Sequence, residues 1–377
     1  MKFMHIFLII TLLLTSSFVY AQKNSSNLYF VAAGEYWQND DPSGHGILLL
    51  HYLQKYDNNK KTFQLVYNTD TLQFSFDNRL STQWAWGVWL KGEYAFSGLL
   101  PDYYKKGELV KEGSLNASFI ELENHIVYYA AKHSVKLSAF VKQWFFDKND
   151  TTGQEFTLPN DFFSLTPEFI YTYWSVNHDK SIDDPHRLFK RVNGLMVQLR
   201  SGSTIRNKTN RWGFITTQNN RINNAKKISY HIKETISFGV KLLNVINLRI
   251  LQNFYWSEYS DDIFHERLGG ISPYVDQIGG LPWAAFLSSK HITIHPAIVA
   301  SLFKKHELGL YFDIAYLEDV ERTGSRSWDL INGLSVYADL RIKDWQFDIK
   351  GGFSLPNKNL EKDLYYSIYF ALGKKLF

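Results

Sequence analysis

Apolar and polar residues alternate along most of this chain of 377 residues. In the segment "TLQFSFDN", Leu72, Phe74 and Phe76 alternate with polar residues. Successive side chains of an extended strand point to opposite faces, so this segment predicts a strand with one apolar and one polar face. The same rhythm returns in segments such as "ISYHIKETISF" and "GLSVYADLRI", which are separated by clusters of Asn, Asp, Gly, Lys and Pro.

Sixteen segments fit this pattern and are predicted to be strands. They cover residues 45–55, 61–68, 71–78, 83–97, 117–131, 135–147, 162–176, 194–205, 212–218, 228–240, 246–258, 291–303, 306–317, 329–342, 345–355 and 364–377. Beyond the first 21 residues, no segment repeats at the period of a helix with caps at both ends. We therefore predict an all-β protein with mostly antiparallel strands.

Two architectures are compatible with alternating strands. A secreted β-sandwich or propeller buries one face of each strand in a protein core, whereas an outer-membrane barrel has an apolar outer face and a polar lumen. Many of the predicted strands are 11–15 residues long, which is enough for a tilted membrane crossing. Aromatic residues make up 16% of the chain, and many lie near strand ends, as in the girdles at a membrane surface. These features favour a transmembrane antiparallel β-barrel of the outer-membrane type.

The C-terminal segment "LYYSIYFALGKKLF" favours the same architecture. Tyr366, Ile368, Phe370 and Leu372 fall on one face and predict the outer row of a closing strand. A closed barrel pairs its last strand with its first, because an open sheet edge is not tolerated in lipid. The terminal Phe377 resembles the C-terminal signal of outer-membrane proteins, although it falls on the opposite parity from the outer row.

The first 21 residues have the layout of a secretory signal peptide, with a lysine near the start, an apolar run over residues 6–14 and Ala21 at the cleavage site. We therefore expect residues 1–21 to be removed, residues 22–44 to form a short periplasmic lead, and residues 45–377 to form the barrel. The expected location is the bacterial outer membrane, reached through the periplasm. The expected partners there are outer-membrane lipid and the machinery that assembles barrels during biogenesis.

Charge and composition exclude several other classes of function. The formal net charge of +4 is too small to indicate a nucleic-acid partner. The chain has no cysteine, so disulfides, cysteine-ligated metals and thiol chemistry are excluded. His291 and His295 share one face of a strand, but a metal site needs further ligands and none is evident. No G-x-S-x-G motif occurs, and His133 and Ser134 point to opposite faces, so we expect neither a cofactor nor an enzyme.

Three blocks in the second half of the chain carry a resemblance to a known family. They are "VNGLMVQLRSGSTIRNKTNRWG", "FHERLGGISPYVDQIGGLPW" and "GLYFDIAYL". In this order and spacing they resemble the barrel domain of the BamA/TamA family, also called the bacterial surface antigen family. The resemblance covers roughly residues 160–377. It implies a barrel of the protein-insertion or translocation type.

The first block is similar to the strand-turn-strand element of the family. Gly194, Arg206, Asn207 and Gly213 match the positions of that element. The aspartate that the family has before the arginine is absent, because serine and threonine stand there. The resemblance thus implies a tight turn after a glycine-containing strand.

The second block is similar to the long extracellular loop of the family, which folds into the lumen. Leu268, Gly269 and Gly270 match its first part, whereas its tip lacks the family's arginine, for which Arg267 is the nearest replacement. The third block resembles the strand whose aspartate meets that loop, which gives this role to Asp313. The resemblance implies a plug that is clamped by an Arg267–Asp313 pair. In the alternative, Arg267 lies in solvated loop and Asp313 bonds elsewhere in the lumen.

The predicted strand order places this loop, about residues 259–290, between the eleventh and twelfth strands. With a periplasmic N-terminus the loop is extracellular, while residues 98–116 and 148–161 become unusually long periplasmic turns. The acidic pair Asp261 and Asp262 is predicted to lie in a solvated turn. Residues 22–44 are too few for the periplasmic POTRA domains of the family, so we expect none, and a separate periplasmic protein becomes an expected partner.

Two functional hypotheses follow from these observations. In the first, a monomeric sixteen-stranded barrel is a membrane-embedded factor for protein insertion or translocation, and its lumen is plugged by the long loop. In the second, the barrel is a porin-like diffusion channel for small solutes, with a wide and charged lumen. An enzyme or a purely structural surface antigen is the third alternative.

Overall fold

The structure of this chain is a computed structural model. It describes residues 25–37, 43–57, 60–68, 71–93, 104–105, 108–109, 111–175, 194–214, 222–224, 226–270, 276–281, 285–302, 306–320, 326–357, 360 and 364–376. The predicted signal peptide over residues 1–21 and the terminal Phe377 lie outside the described residues. Within the described part of the chain, no helix is long and apolar enough to cross a membrane.

Sixteen antiparallel strands form a closed barrel. They are β1 (Ser25–Trp37), β2 (Ser43–Tyr56), β3 (Lys61–Asn68), β4 (Thr71–Arg79), β5 (Trp84–Glu93), β8 (Asn116–Tyr129), β9 (His133–Asp147), β10 (Phe162–Trp174), β11 (Gly194–Arg206), β14 (Ile228–Lys241), β15 (Ile246–Glu258), β18 (Lys290–Leu302), β19 (His306–Val320), β20 (Arg326–Ile342), β21 (Trp345–Ser354) and β22 (Tyr366–Lys375). Each strand pairs with its neighbours in chain order, and β22 returns to β1. The predicted all-β antiparallel barrel of sixteen strands is therefore confirmed.

Six short strands form three small ladders outside the barrel sheet. They are β6 (Tyr104–Lys105) with β7 (Glu108–Leu109), β12 (Arg211–Gly213) with β13 (Ile222–Asn224), and β16 (Glu266–Leu268) with β17 (Phe286–Ser288). A single turn of 3₁₀-helix spans Lys111–Gly113. These pieces lie in the long connections between barrel strands, where they give the loops a structure of their own.

Alternation along each strand separates an apolar outer face from a mostly polar lumen. In β22, the side chains of Tyr366, Ile368 and Phe370 are 38%, 51% and 53% exposed on the outer face. Ser367 and Tyr369 between them are buried inside the barrel. Because an outer face of this kind cannot be covered by the protein itself, it requires an apolar solvent.

The seam between β1 and β22 is fully paired. Residues 29–37 of β1 pair with residues 367–375 of β22, and the pairing of β21 with β22 spans a similar length over residues 345–353 and 366–374. Just beyond the seam, the amide of Leu376 donates a hydrogen bond of 2.7 Å to the carbonyl of Leu28. The closing strands therefore leave no open edge along the described seam.

Two errors in the predicted strands cancel in the total number of barrel strands, because one strand was missed and another was predicted wrongly. Residues 25–37 form β1 and residues 43–44 begin β2, so the predicted periplasmic lead over residues 22–44 is wrong at these positions. The predicted barrel strand over residues 212–218 is also wrong, because β12 pairs only with β13 beside the barrel. The first strand escaped prediction because its inward residues Val31 and Ala33 are apolar, which removes the alternation of period two.

The corrected strand order changes the side on which two long connections lie. Both ends of the described barrel, at β1 and β22, lie at one end of it, which we call the turn end. Residues 94–115, 148–161, 207–227 and 259–289 all connect strands at the opposite end, which we call the loop end. The prediction of long periplasmic turns at 98–116 and 148–161 is therefore wrong, because the missed first strand shifted the parity of that half of the chain.

Candidate functional site

The connection between β15 and β18, residues 259–289, folds into the lumen, and we call it the inner loop. Leu268, Ile278 and Leu281 of the inner loop are completely buried against the inner face of the barrel wall. Their wall partners include Leu317 on β19 and Ile331 on β20, which are also buried. Burying side chains of this size contributes about 1.5–3 kcal/mol each. Apolar packing thus holds the inner loop inside the barrel.

The tip of the inner loop binds the wall through its backbone. The amide of Gly279 donates a hydrogen bond of 2.8 Å to Oδ2 of Asp313 on β19. The next amide, that of Gly280, donates a bond of 3.2 Å to Oγ of Ser367 on β22. The second bond reaches the strand that closes the barrel, so the tip lies beside the seam.

Glycine is required on both sides of this contact. Gly280 has a φ of +87°, and a Cβ atom there would overlap the backbone of Ser354 on β21. On the wall, a Cβ atom at Gly333 or Gly352 would come within 2.5–2.8 Å of the backbone of Gly279. The loop backbone therefore lies directly on the backbone of β20 and β21, a distance that only glycine permits.

Asp313 is the centre of the polar contacts on the wall side. Its side chain is 1% exposed, and its Oδ2 atom accepts the Gly279 amide together with the Ser335 hydroxyl at 2.8 Å. Its Oδ1 atom lies 2.9 Å from Nδ1 of His295 on β18. A buried carboxylate with this number of donors is fully satisfied, and it becomes costly to bury once any donor is removed.

A second carboxylate, Asp276, comes from the inner loop itself. Its Oδ1 atom accepts a bond of 2.9 Å from Asn253 and lies 3.3 Å from Nε2 of His295. Its Oδ2 atom accepts a bond of 2.7 Å from Thr293 and lies 3.4 Å from Nε2 of His291. His295 is thereby placed between a carboxylate of the loop and Asp313 of the wall.

The histidines control the charge of Asp276. Burial by itself raises the pKa of this carboxyl, but hydrogen bonds and charge from His291 and His295 outweigh burial and hold the pKa well below its usual range. Asp276 is therefore ionised at neutral pH. The two histidines hold the loop, and in the part of the chain that the structure describes no group of three His, Cys, Asp or Glu residues could hold a metal ion.

A buried lysine on β21 completes the contacts of the tip. Lys350 is 1% exposed, its Nζ atom donates to Oε1 of Gln277 in the inner loop, and it lies 5.4 Å from the ring centre of Tyr311. Residues 276–280 of the loop therefore contact the wall from β15 across to β22. This half of the wall is the docking site of the loop.

Of the predicted clamp residues, Asp313 lies on β19 of the wall and the other four lie in the inner loop, but their contacts differ from the predicted ones. Arg267 lies in β16 opposite Leu287, and it is not among the groups that contact Asp313 in the described structure. Leu268 belongs to the buried apolar cluster. Gly269 and Gly270 have φ values of +114° and +72°, and their amides bond to the carbonyls of residues 276 and 281. The loop thus meets Asp313 through Gly279 rather than through an arginine.

Arg206, Asn207 and Gly213 of the predicted turn lie at the loop end, whereas Gly194 lies at the turn end. Arg206 makes a buried ion pair that sequence patterns did not indicate. Its two terminal nitrogens donate bonds of 2.8 and 2.9 Å to the carboxylate of Asp261. Nε1 of Trp212 donates a third bond of 3.1 Å to the same carboxylate. The prediction of a solvated turn at Asp261 is wrong, because this side chain is 2% exposed.

Aromatic residues surround the Arg206 guanidinium. Its central carbon lies 4.8 Å from the ring centre of Phe162 and 4.3 Å from that of Phe264. These rings belong to a buried cluster that also contains Trp144 and Phe156. The cluster joins the connections at 94–115, 148–161, 207–227 and 259–289, so it forms a cap over part of the loop end, and we call it the loop cap.

Two further predicted turn residues, Asn207 and Gly213, stabilise the loop end. Oδ1 of Asn207 accepts a bond of 2.9 Å from the amide of Phe163. Gly213 has a φ of +101° and exchanges backbone hydrogen bonds with Thr157. Gly194, which starts β11 at the turn end, has a φ of +88°. Each glycine occupies backbone geometry that other residues rarely adopt.

The wall opposite the docking site carries pairs of opposite charge. Lys142 lies 3.1 Å from Glu121, and His231 lies 3.1 Å from Glu168. These pairs line a lumenal cavity of about 460 Å³ between β5 and β15. A further pair of 2.9 Å joins Lys233 on β14 to a glutamate of the inner loop. The lumen therefore contains a charged cavity on one side and the docked loop on the other.

Comparison with known proteins gives similarity at the level of fold. No family model and no curated protein matches the chain. Solved structures do match it. BamA from Haemophilus ducreyi lacking POTRA domains 1–3 has a TM-score of 0.62 at 8% identity, over 94% of this chain and 71% of that one. CdiB from Escherichia coli has a TM-score of 0.55 at 10% identity, over 92% of this chain and 63% of that one.

CdiB from Acinetobacter baumannii is also similar, with a TM-score of 0.51 at 8% identity over 92% of this chain. This chain spans only 60% of the length of that protein. At such low identity the comparisons show the fold alone. The chain therefore has the fold of an outer-membrane barrel.

Proposed function

We propose that this chain is an outer-membrane barrel of the protein-insertion or translocation type, whose lumen is plugged by the docked inner loop. The support is the order of the three sequence blocks that resemble the BamA/TamA family, together with the fold similarity to BamA and CdiB. The signal-like N-terminus supports export to the outer membrane. A separate periplasmic protein is the proposed source of client proteins, and no cofactor is required.

The observation that carries this proposal is the position of the loop tip. Gly279 and Gly280 bond to Asp313 on β19 and to Ser367 on β22, next to the seam. Apolar packing, close backbone contact and buried charged groups all hold the inner loop against the barrel wall. A loop fixed in the lumen narrows the path for solutes, whereas it gives a barrel that acts at its seam a rigid internal support there.

The plug is tested by the conductance of single molecules of the purified, heat-modifiable protein in a planar lipid bilayer. We expect small or flickering openings, because the inner loop and the loop cap obstruct the lumen. Large, steady and ohmic openings would contradict the plug and favour a diffusion channel.

The insertion role is tested with proteoliposomes and a urea-unfolded small outer-membrane barrel as the probe. We expect the folded, heat-modifiable form of the probe to appear faster with this protein than with empty liposomes. A second variant, which we call the seam variant, carries Ala33→Cys and Ala371→Cys. These two positions are directly opposite in the seam. Their Cα atoms are about 4.5–5.5 Å apart, as in any such pair, which suits a disulfide.

The variant with the two cysteines tests whether the β1–β22 seam must open for the protein to accelerate folding of the probe. If the barrel works by opening its seam, the oxidised variant loses the acceleration and a reducing agent restores it. Equal folding rates with empty liposomes and with the wild-type protein would remove the insertion role altogether.

A porin-like channel for small solutes is the second candidate. The charged cavity of about 460 Å³ on the β5–β15 side supports it, because paired charges along a wet lumen are typical of solute channels. Swelling of proteoliposomes in sugars or amino acids separates the two candidates. Swelling that is unchanged after the inner loop is fixed in place would favour the channel.

We also propose that the barrel has no catalytic activity. His133 contacts the hydroxyl of Tyr171 at 2.7 Å, and the neighbouring Ser134 is buried on the opposite face. These two residues do not form a nucleophile and its base. Incubation of the purified protein with ester and peptide substrates tests this point, and turnover that survives further purification would contradict it.

A further inference from the structure

The lumenal cavity of about 460 Å³ on the β5–β15 side contains a row of cationic side chains. Lys136 on β9 is directly opposite Ile170 on β10, and Ile170 is directly opposite Arg200 on β11. Arg200 is in turn directly opposite Lys233 on β14. All four residues line the cavity, so their side chains share the inner face along one row of the sheet.

Two neighbours in this row carry the same charge. Arg200 and Lys233 are direct cross-strand neighbours, so their Cβ atoms are about 4.5–5.5 Å apart. Like charges in this position destabilise a sheet unless other groups neutralise them. Lys233 has a close carboxylate partner, since its Nζ atom lies 2.9 Å from Glu266 of the inner loop. The positive charge of Arg200 is neutralised less completely.

Arg200 is held loosely by its one carboxylate partner in the described part of the chain. Its Nε atom lies 3.6 Å from Oε2 of Glu168, which is beyond hydrogen-bond distance. The other oxygen of Glu168 lies 3.1 Å from Nε2 of His231, whose ring lies where a Cβ atom at Gly202 would come within 2.7 Å of it. The two terminal nitrogens of the Arg200 guanidinium have no hydrogen-bond partner among the described residues.

The cations of the cavity are more accessible than the carboxylates behind them. The side chain of Arg200 is 41% exposed, whereas that of Glu168 is 6% exposed. Lys136 and its partner Glu123 differ in the same way, at 28% and 1%. A small molecule in the cavity therefore contacts mainly the cationic members of these pairs.

Apolar side chains complete the lining of the cavity. Ile170 lies between Lys136 and Arg200 in the row. Trp89 on β5 and Phe140 on β9 also line the cavity, and their rings meet edge to face with centroids 6.1 Å apart. Clefts of about 300–1,000 Å³ that combine apolar walls with a few polar groups are typical of sites for small organic molecules.

We propose that this cavity is a binding site for a small organic anion, whose carboxylate or phosphate head is bound by Arg200. The planar guanidinium donates two parallel hydrogen bonds to such a head, and Lys233 beside it adds a second positive charge. An anionic head at this position also relieves the repulsion between the two cations. The apolar part of the molecule packs against the apolar side chains of the lining.

The site goes beyond the proposed insertion role and does not depend on it. The inner loop is docked on the other side of the lumen and reaches the cavity through Phe264 and Glu266. A barrel that inserts proteins and a barrel that passes solutes can both hold an anion here. Loss of anion binding and loss of insertion activity are therefore separate outcomes.

Equilibrium dialysis of the purified full-length protein in non-ionic detergent tests the site, with labelled benzoate as the probe. Empty micelles correct for partition into the detergent, and benzamide is the uncharged match of the probe. We expect saturable binding of benzoate and about tenfold weaker binding of benzamide, which lacks the charge that Arg200 recognises. Inorganic phosphate should displace the probe only at about tenfold higher concentration than unlabelled benzoate, because phosphate has no apolar part.

Variants locate the binding in the cavity. Arg200→Gln should weaken benzoate binding about tenfold, and Arg79→Gln, at an exposed position of the turn end, is the matched control. Arg200→Lys keeps the charge but lacks the planar fork, so its affinity should be intermediate. Glu168→Gln removes the carboxylate that competes for Arg200 and should tighten binding several-fold, a gain that misfolding cannot produce.

Heat modifiability shows whether each variant is folded. No saturable binding by the wild type, equal binding of benzoate and benzamide, or equal binding by Arg200→Gln and Arg79→Gln would overturn the site. Unchanged or weaker binding by folded Glu168→Gln would overturn the role of Arg200, even if Arg200→Gln does not fold. Phosphate that displaces the probe as efficiently as benzoate does would overturn the organic nature of the ligand.

Discussion

The amide of Gly279 donates a hydrogen bond of 2.8 Å to the carboxylate of Asp313, and this bond joins the inner loop to the barrel wall. The donor is a backbone group, so no cationic side chain at the tip is needed to meet the aspartate. The contact depends instead on how closely two stretches of backbone can approach. Four glycines, two on the loop and two on the wall, allow that approach.

The first prediction concerns the space at the tip. In Gly280→Ala the new methyl group overlaps the backbone of Ser354, and the left-handed backbone adds about 1–2 kcal/mol of strain. We expect the loop to leave its docking site and the single-channel conductance to rise. Gly351→Ala is the matched control, because nothing lies within 4 Å of its added methyl group. Equal conductance of the two variants would show that the tip does not need this contact.

The second prediction concerns the charge on the wall. Asp313→Ala removes the acceptor of Gly279 and leaves His295 without its wall partner, and breaking a buried pair costs about 3–5 kcal/mol. We expect raised conductance with heat-modifiable folding largely intact, and a smaller rise for Asp313→Asn, which keeps an acceptor. Asp344→Ala in an exposed turn is the control. A folded Asp313→Ala protein with unchanged conductance would exclude a clamp at this residue.

The third prediction is a dependence on acid. The histidines hold the pKa of Asp276 below its usual range, so its contribution to docking is complete above the ordinary carboxyl pKa of about 4 and is lost as the pH falls further. We expect the conductance to stay constant from neutral pH down to about 4 and to rise below it. Asp276→Asn should weaken this acid response and raise the conductance at neutral pH. If the conductance of Asp276→Asn responded to acid as strongly as that of the wild type, another group would be responsible for the response.

The fourth prediction concerns the loop cap. Arg206→Met leaves Asp261 buried without its cation, which costs about 3–5 kcal/mol. The temperature at which the folded band disappears in detergent should therefore fall. The double variant Arg206→Met with Asp261→Leu should recover most of the loss, because a buried pair is replaced by apolar groups of similar size. Lys132→Met in an exposed turn serves as the control, and a double variant as unstable as the single one would refute the pairing argument.

Local alternation of apolar and polar residues was sufficient to predict most of the barrel strands. Alternation predicted fifteen of the sixteen barrel strands, because a strand with one apolar and one polar face is encoded by its own residues. It failed at β1, where Val31 and Ala33 face inward and pack against apolar residues of the closing strands. It also failed at β12, where a short alternating segment pairs beside the barrel. At β1 the closing partner β22 is distant in sequence, and at β12 the segment pairs with the nearby β13 instead of a barrel strand. Local alternation does not identify the pairing partner in either place.

The candidate site was predictable only in outline. The resemblance indicated a long loop that meets Asp313, and this aspartate does bind the loop. The sequence did not indicate that Asp276, His291 and His295 hold the loop, since a lumenal histidine and a loop aspartate have no local signature. The glycines in "QIGG", "NGL" and "KGGF" were the one available signal. Their meaning depends on the distance between backbones, which a sequence does not contain.

The sequence by itself thus determined the class of fold, because alternation of period two and long aromatic strands leave few soluble alternatives. It also determined which residues are able to carry charge or permit close approach. Tertiary structure decided which of them meet. Closure of the barrel placed the inner loop against the wall from β15 to β22 and buried Asp261 under Arg206. These outcomes depend on which strands become neighbours and on which face each residue takes, and both are set only when the whole sheet closes.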